Sequence, residues 1–197
     1  MTTFAEKIFE LDAALNDSGI AHAFGGALAL AFCTREPRLT SDIDVNVFLT
    51  INEVQEFLDA VPSGLAWDEE SRQLLQRDGQ VRLWWDATPV DVFLATSEFH
   101  REAARRVRIE SIDGHPLPFL SCRDLAVFKV FFDRLKDWAD LEAMLLSGSI
   151  DLDATLGTLA RYLGPDDHRI AHLLEMSRSL PTDGVLPLFR PTKEQGT

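Results

Sequence analysis

The sequence predicts an α/β fold, in which a small mixed sheet is flanked by helices and followed by a C-terminal helical segment. The first observation is the order strand, glycine turn, helix and strand within residues 20–50. The second is a pair of apolar runs, at 81–85 and 90–94, with the length and residue types of strands. The third is the helical spacing of apolar residues along 3–18. With 197 residues, 46% of them hydrophobic, the chain can bury one core.

The other elements follow from local pattern and composition. Helices are predicted at 3–18, 26–32, 51–60, 68–80 (ending in a loop), 97–106, 121–132, 151–163 and 166–180, and strands at 20–24, 41–49, 81–85, 90–94 and 107–112. Gly114, Pro116 and Pro118 predict a turn and a loop after the last strand. We expect a core over 1–120, a helical segment over 121–180 that closes a cleft, and an extended or disordered tail over 181–197.

Two carboxylates open the second long strand. Asp42 and Asp44 are two positions apart, so they share one strand face, while Ile43, Val45 and Val47 share the other. Neighbouring carboxylates repel each other unless a cation lies between them or water surrounds them. A hard cation such as Mg²⁺ takes one or two carboxylates and completes its shell with water and substrate phosphates. The alternative is a solvated strand end, the commoner role of an isolated Asp-x-Asp.

A third carboxylate, Asp91, interrupts the apolar run 89–94. If that strand lies beside the strand of Asp42 and Asp44, three carboxylates converge. This is the layout that a two-metal phosphoryl or nucleotidyl transfer site needs.

Glycines and basic residues near these carboxylates predict contacts with phosphate. Gly25 and Gly26 lie between a strand and a helix, where backbone N–H groups and a helix N-terminus accept anions, although such a pair is most often only a tight turn. Arg38 lies in the loop before Asp42 and is either solvated or paired with a phosphate. Lys129 is the one lysine in the apolar run 125–132, and it either reaches the surface or points into a cleft.

The pattern of residues 20–145 resembles the DNA polymerase β-like nucleotidyltransferase superfamily, and within it the bacterial minimal and abortive-infection types. The matching features are the Gly-Gly turn in Phe24-Gly25-Gly26-Ala27-Leu28-Ala29-Leu30, the segment Arg38-x-Thr40-Ser41-Asp42-x-Asp44, the later Asp91, and an Arg-x-Lys-Asp-x-x-Asp segment over 134–140. The resemblance implies the nucleotidyltransferase fold, two Mg²⁺ ions as cofactors and an NTP as substrate. The implied reaction transfers a nucleoside monophosphate to an acceptor hydroxyl and releases pyrophosphate.

The resemblance also assigns roles to residues. Asp42, Asp44 and Asp91 would be catalytic and bind both metal ions, and Asp91 would take the proton of the acceptor hydroxyl. The nucleotide-binding residues would be Gly25, Gly26, Arg38, Thr40, Ser41 and Lys129. Gly26 stands where many members of the superfamily have serine, so one hydroxyl contact to phosphate would be missing while the backbone contacts remain.

Charge and cysteine content limit the partners and the compartment. The net charge of −13, from 19 basic and 32 acidic residues, argues against broad binding of nucleic acids and suits a cationic acceptor or a basic protein. Cys33 and Cys122 lie far apart without metal-like spacing, which predicts reduced thiols in a cytoplasmic protein. The N-terminus lacks the layout of a signal peptide, and no stretch reaches the ~18 apolar residues of a membrane helix.

Several alternatives stay open at this stage. The acceptor could be RNA, a partner protein in a toxin–antitoxin system, or an aminoglycoside-like small molecule. The chain could also be a catalytically idle module of the same fold that acts through a protein partner. His168 and His172 are four residues apart and could share a metal ion, but no third ligand is evident, and a surface or packing role is favoured.

Overall fold

The computed structural model describes residues 2–36 and 39–180 as helices arranged around a mixed sheet. In chain order the elements are α1 (Phe4–Asp17), β1 (His22–Phe24), α2 (Gly26–Thr34), β2 (Ile43–Val47), α3 (Val54–Ala60), β3 (Leu65–Ala66), α4 (Glu69–Asp78), β4 (Gln80–Trp85), β5 (Thr88–Leu94), α5 (Glu98–Ala103), β6 (Arg108–Ile112), β7 (His115–Phe119), α6 (Cys122–Phe132), α7 (Leu135–Leu146), α8 (Leu152–Leu163) and α9 (His168–Ser179). The predicted α/β class, with a small mixed sheet and helices after it, is confirmed.

The sheet has the strand order β3-β4-β5-β2-β1-β7-β6. Strand β2 runs antiparallel to β1 and parallel to β5, and β5 runs antiparallel to β4. The parallel pairing places Asp44 directly beside Asp91. The two strands that carry the predicted carboxylates are therefore neighbours.

Strand β2 divides the protein interior from the candidate site because its side chains alternate between two faces. Ile43, Val45 and Val47 are completely buried in the core. Asp44 and Asn46 point to the other face, which α5 and α6 cover. Burial of the apolar face of the strand thus fixes the position and direction of the polar side chains on its other face.

Helices α5 and α6 pack over this second face through a buried histidine. His100 Nε2 lies 3.0 Å from Asn46 Oδ1, and its ring packs against Phe128 with 4.8 Å between centroids. Burial lowers the pKa of His100 to about 4, although a backbone hydrogen bond to Leu94 opposes this shift. The imidazole is therefore neutral at physiological pH.

The expected loop after β6 is instead a strand. Pro116 and Pro118 lie within β7, which pairs antiparallel with β6. Strand β7 pairs with β1 only at Phe119 and Phe24, so beside both prolines one side of β7 lacks a strand partner. Proline is tolerated in a strand where its missing N–H has no ladder to join. The prediction of a loop was wrong for this reason.

The expectation of reduced cysteines is also wrong. Cys33 on α2 and Cys122 on α6 form a disulfide, with 5.5 Å between their Cα atoms and a sequence separation of 89. Helices α2 and α6 pack against each other, which brings the two thiols together. The cytoplasmic location loses this support and stays a prediction.

Two further expectations concern the tail and the membrane. Residues 181–197, predicted to be extended or disordered, lie outside the described residues. Within the part of the chain that the structure describes, no helix has the length and apolar character needed to cross a membrane.

Candidate active site

Asp42, Asp44 and Asp91 form a row of carboxylates at the β2–β5 pair. Asp44 faces Asp91 across the parallel ladder, and Asp42 directly precedes β2. Burial raises the pKa of Asp44 to about 6, and the negative charges of Asp42 and Asp91 add to the shift. The convergence expected from sequence is thus present in the backbone register, and the electrostatics favour a positive group among these carboxylates.

The glycine turn lies against the same carboxylates. Gly25 donates its N–H to the carbonyl oxygen of Asp44 at 2.9 Å, and α2 begins at Gly26. Gly26 has a φ of +50°, and a Cβ there would lie 1.8 Å from Asp44 Oδ2. A Cβ on Gly25 would lie 2.8 Å from Asn46 Nδ2. Any side chain at position 26 would therefore displace Asp44.

The loop before β2 supports Asp42. The Thr40 hydroxyl donates to Asp42 Oδ1 at 2.5 Å, while Ser41 is exposed at the mouth of the site. The structure therefore gives Thr40 a partner within the carboxylate row. Arg38, predicted to contact phosphate, lies outside the described residues.

Lys129 is buried at the inner end of the site, with 6% of its surface exposed. Its Nζ donates to Asp140 Oδ2 at 2.6 Å and lies 3.7 Å from Asp137 Oδ1. Asp137 also accepts from Arg134 at 2.6 Å. Segment 134–140 thus forms a network of salt bridges that includes Lys129.

Two cavities of different character meet at this point. The larger, of about 420 Å³, is bordered by aromatic rings of Phe93, Phe128, Phe131, Phe132 and Tyr162. The smaller, of about 200 Å³, is predominantly polar and is bordered by the residues at 39–42, among others. The cavities share the wall formed by Gly26, Asp44, Lys129, Arg134 and Asp137.

Arg82 is a site residue that sequence reasoning missed. It stands opposite Asp91 in the β4–β5 register. Its Nε and Nη2 each donate to one carboxylate oxygen of Asp91 at 2.7 Å, and Nη2 lies 3.9 Å from Asp42 Oδ2. The signal was a two-residue turn after Trp85, which pairs position 82 with 91. The strands predicted at 81–85 and 90–94 leave the four residues 86–89 for the turn, and a turn of that length does not pair position 82 with 91.

The carboxylates of the site determine which cation it can hold. Among residues 2–36 and 39–180, no group of three or more His, Cys, Asp or Glu side chains is positioned to hold a metal ion. Asp42 and Asp44 nevertheless provide the carboxylate oxygens that Mg²⁺ prefers, and one or two carboxylates suffice when a nucleotide adds phosphate oxygens. The absence of a side chain at Gly26 leaves Asp44 Oδ2 accessible beside the turn. This pair therefore fits Mg²⁺ that arrives with a nucleotide.

His168 and His172 have structural surroundings. The His172 ring packs on Trp138 with 4.0 Å between centroids, and His168 Nε2 lies 3.4 Å from Asp133 Oδ2. The packing and surface roles favoured from the sequence are confirmed.

Comparisons with known proteins bear on the fold. No protein-family model matches the sequence, and no curated protein matches it. The structure is similar to that of the antibiotic-resistance factor ANT(2'')-Ia, with a TM-score of 0.54 and 14% identity, covering 91% of this chain and 94% of that chain. It is also similar to an antigenic nucleotidyltransferase-like protein from Paracoccidioides brasiliensis, with a TM-score of 0.44 and 15% identity, covering 86% of this chain and 92% of that chain. JHP933 from Helicobacter pylori has a TM-score of 0.43 and 14% identity, covering 88% of each chain. The chain has the nucleotidyltransferase fold.

Proposed function

We propose that this protein is a nucleotidyltransferase, which moves a nucleoside monophosphate from an NTP to an acceptor hydroxyl. The observation that carries the proposal is the parallel β2–β5 register, which sets Asp91 beside Asp44, the carboxylate that lies against the glycine turn. In the reaction a bond forms between the acceptor oxygen and the α-phosphorus. The α–β phosphoanhydride bond breaks, and pyrophosphate leaves with the electron pair.

The three carboxylates have distinct roles in this proposal. Asp42 and Asp44 would hold one Mg²⁺ and Asp91 would contribute to a second, with the phosphates of the nucleotide supplying the further ligands that no group of three described side chains supplies. When bound, the ions supply positive charge at the reacting phosphate oxygens. Asp91 would orient the acceptor hydroxyl and accept its proton at a carboxylate oxygen. Thr40 keeps the Asp42 carboxylate in place through its hydroxyl. Positioning and electrostatics supply the rate, since no side chain forms a covalent intermediate.

The polar cavity suits the triphosphate. Lys129, Arg134 and Lys136 border it and would offset phosphate charge. Gly25 and Gly26 would admit phosphate oxygens close to the backbone at the start of α2. Ser41 and Thr40 also border this cavity, and Arg38 is assigned to the same task by the sequence resemblance.

The larger cavity suits an apolar ring system, from either the nucleoside or the acceptor. Its aromatic walls offer stacking surfaces. The larger cavity borders Asp44 and Lys129, which also border the polar cavity. A ring system bound there would therefore lie next to the triphosphate.

Three classes of acceptor are proposed, in the order in which they should be tested. An aminoglycoside-like small molecule comes first, because ANT(2'')-Ia is described as an antibiotic-resistance factor and a charge of −13 suits a cation. A partner protein in a toxin–antitoxin system comes second, on the sequence resemblance. RNA comes third, because the negative charge opposes phosphate binding.

The test is transfer of label from α-³²P NTPs to a panel of these acceptors with Mg²⁺. Wild type is compared with Asp91→Asn and with Asp113→Asn, a matched control at an exposed turn. We expect Asp91→Asn to lower transfer about 10²-fold or more, since it removes the proton acceptor. The control should keep full activity. Equal transfer by wild type and Asp91→Asn would contradict the assigned chemistry.

A second candidate, an idle module of the same fold, is favoured by one observation. Both carboxylate oxygens of Asp91 accept hydrogen bonds from Arg82. An idle module would bind NTP and transfer no label to any acceptor, including proteins in a lysate from the source cell. Detection of any labelled acceptor that depends on Asp91 would exclude it.

A further inference from the structure

Arg82 and Asp91 form a bidentate ion pair at the edge of the candidate site. Both bonds measure 2.7 Å, and the β4–β5 ladder holds the two residues opposite each other. The Arg82 side chain is 50% exposed, whereas that of Asp91 is 19% exposed. The guanidinium thus covers the carboxylate from the solvent side.

The same guanidinium reaches toward a second carboxylate. Arg82 Nη2 lies 3.9 Å from Asp42 Oδ2, so one positive charge faces two of the three acidic side chains. Planar guanidinium groups match carboxylates through two parallel hydrogen bonds, and such charge-assisted pairs are among the stronger ones in proteins. Any cation that uses the oxygens of Asp91 must therefore compete with Arg82.

We propose that Arg82 is a built-in counter-ion that regulates cation binding at this carboxylate row. A divalent cation reaches Asp91 only when Arg82 releases it, so a cation alone binds weakly. A nucleotide changes the balance in two ways, because its phosphates add ligands for the cation and offer Arg82 a new anionic partner. Loading of the cation is thereby coupled to loading of the nucleotide. This inference rests on the proposed nucleotidyl transfer at the same site.

The coupling follows from charge and exposure. Because half of the Arg82 side chain is already in solvent, its release needs no rearrangement of the core. Asp91 lies on β5, a central strand between β2 and β4, so its backbone cannot move outward with the Arg82 side chain. The exchange is therefore a movement of one side chain at the mouth of the site.

The experiment measures Mn²⁺ binding by the electron paramagnetic resonance signal of the free ion, in the absence of nucleotide. It compares wild type, Arg82→Gln and the matched control Arg72→Gln. Arg72 is likewise ion-paired at the surface, with Glu69 on α4, so its loss changes net charge by the same amount. We expect Arg82→Gln to bind Mn²⁺ about tenfold more tightly than both wild type and the control.

A double variant locates the effect. Arg82→Gln/Asp91→Asn should lose the gain in Mn²⁺ affinity, because the released carboxylate is gone. Circular dichroism checks that each variant is folded. Equal affinities of wild type and Arg82→Gln, weaker binding by Arg82→Gln, or a gain that survives the double variant would each overturn the inference.

The outcome is separable from that of the proposed function. Label transfer by wild type together with unchanged Mn²⁺ affinity in Arg82→Gln would overturn the counter-ion role and leave the transferase intact. Tighter Mn²⁺ binding by Arg82→Gln in a protein without transferase activity would support the counter-ion role alone.

Discussion

Replacing Gly26 by alanine tests whether the close packing of the glycine turn against Asp44 is needed to hold that carboxylate in its position for nucleotide binding. The added Cβ would lie 1.8 Å from Asp44 Oδ2 and 2.4 Å from its Cγ, distances that real Cβ atoms do not reach. The carboxylate must therefore move by about 1 Å or more, and a displacement of that size near reacting atoms lowers rates by about 10²-fold. Alanine at a φ of +50° also loses about 1–2 kcal/mol of folding free energy.

A matched control separates the two effects. Gly19 has a φ of +70° and nothing within 4 Å of an added Cβ, so Gly19→Ala carries the backbone strain without the collision. Urea unfolding should show a loss of about 1–2 kcal/mol in Gly19→Ala and at least as large a loss in Gly26→Ala. Only Gly26→Ala should bind a fluorescent NTP analogue with Mg²⁺ at least about tenfold more weakly than wild type. If the affinity of Gly26→Ala for the analogue is within twofold of that of wild type, the packing of Gly26 against Asp44 is not needed for nucleotide binding.

Two further predictions concern stability. The folded-state pKa of His100 is lowered to about 4, so the stability that its neutral form contributes is complete above its ordinary pKa of 6.5 and is lost as the pH falls toward 4. Between pH 7.5 and 4.5 the free energy of unfolding should therefore fall by about 2–3 kcal/mol more in wild type than in His100→Gln. The control His115→Gln, at an exposed position, should keep the wild-type pH dependence, and an equal pH dependence in His100→Gln would disprove the assignment. Reduction of the Cys33–Cys122 disulfide should lower the free energy of unfolding by about 2–5 kcal/mol, because a long loop is released in the unfolded chain. Denaturant unfolding with and without dithiothreitol measures this loss; Cys33→Ala/Cys122→Ala should not respond to the reductant, and an unchanged wild-type transition would refute the contribution of the bond.

The elements that carry the candidate site were predictable because their signals are local. Alternation of apolar and acidic residues defined the strand with Asp42 and Asp44, and the lone acid in an apolar run marked Asp91. The glycines marked the turn before α2. These patterns depend only on which face of a strand or helix meets the core.

The features that the sequence did not reveal depend on pairing between distant or precisely registered segments. Arg82 meets Asp91 because the hairpin turn has two residues, and a different turn length would shift every pair along the ladder. Cys33 and Cys122 meet because α2 packs on α6, which no local pattern indicates. Pro116 is accepted in a strand because β1 is too short to reach it.

The role of Asp42 and Asp44 in binding a nucleotide with Mg²⁺ is tested by calorimetric titration of a non-hydrolysable NTP analogue into wild type and Asp42→Asn/Asp44→Asn, with and without Mg²⁺. Wild type should bind the analogue only in the presence of Mg²⁺, because these carboxylates and the nucleotide phosphates hold the ion together. The double variant should lose that binding and keep its fold. Binding that is equal in both proteins, or no Mg²⁺-dependent binding by folded wild type, would contradict the assignment of this site.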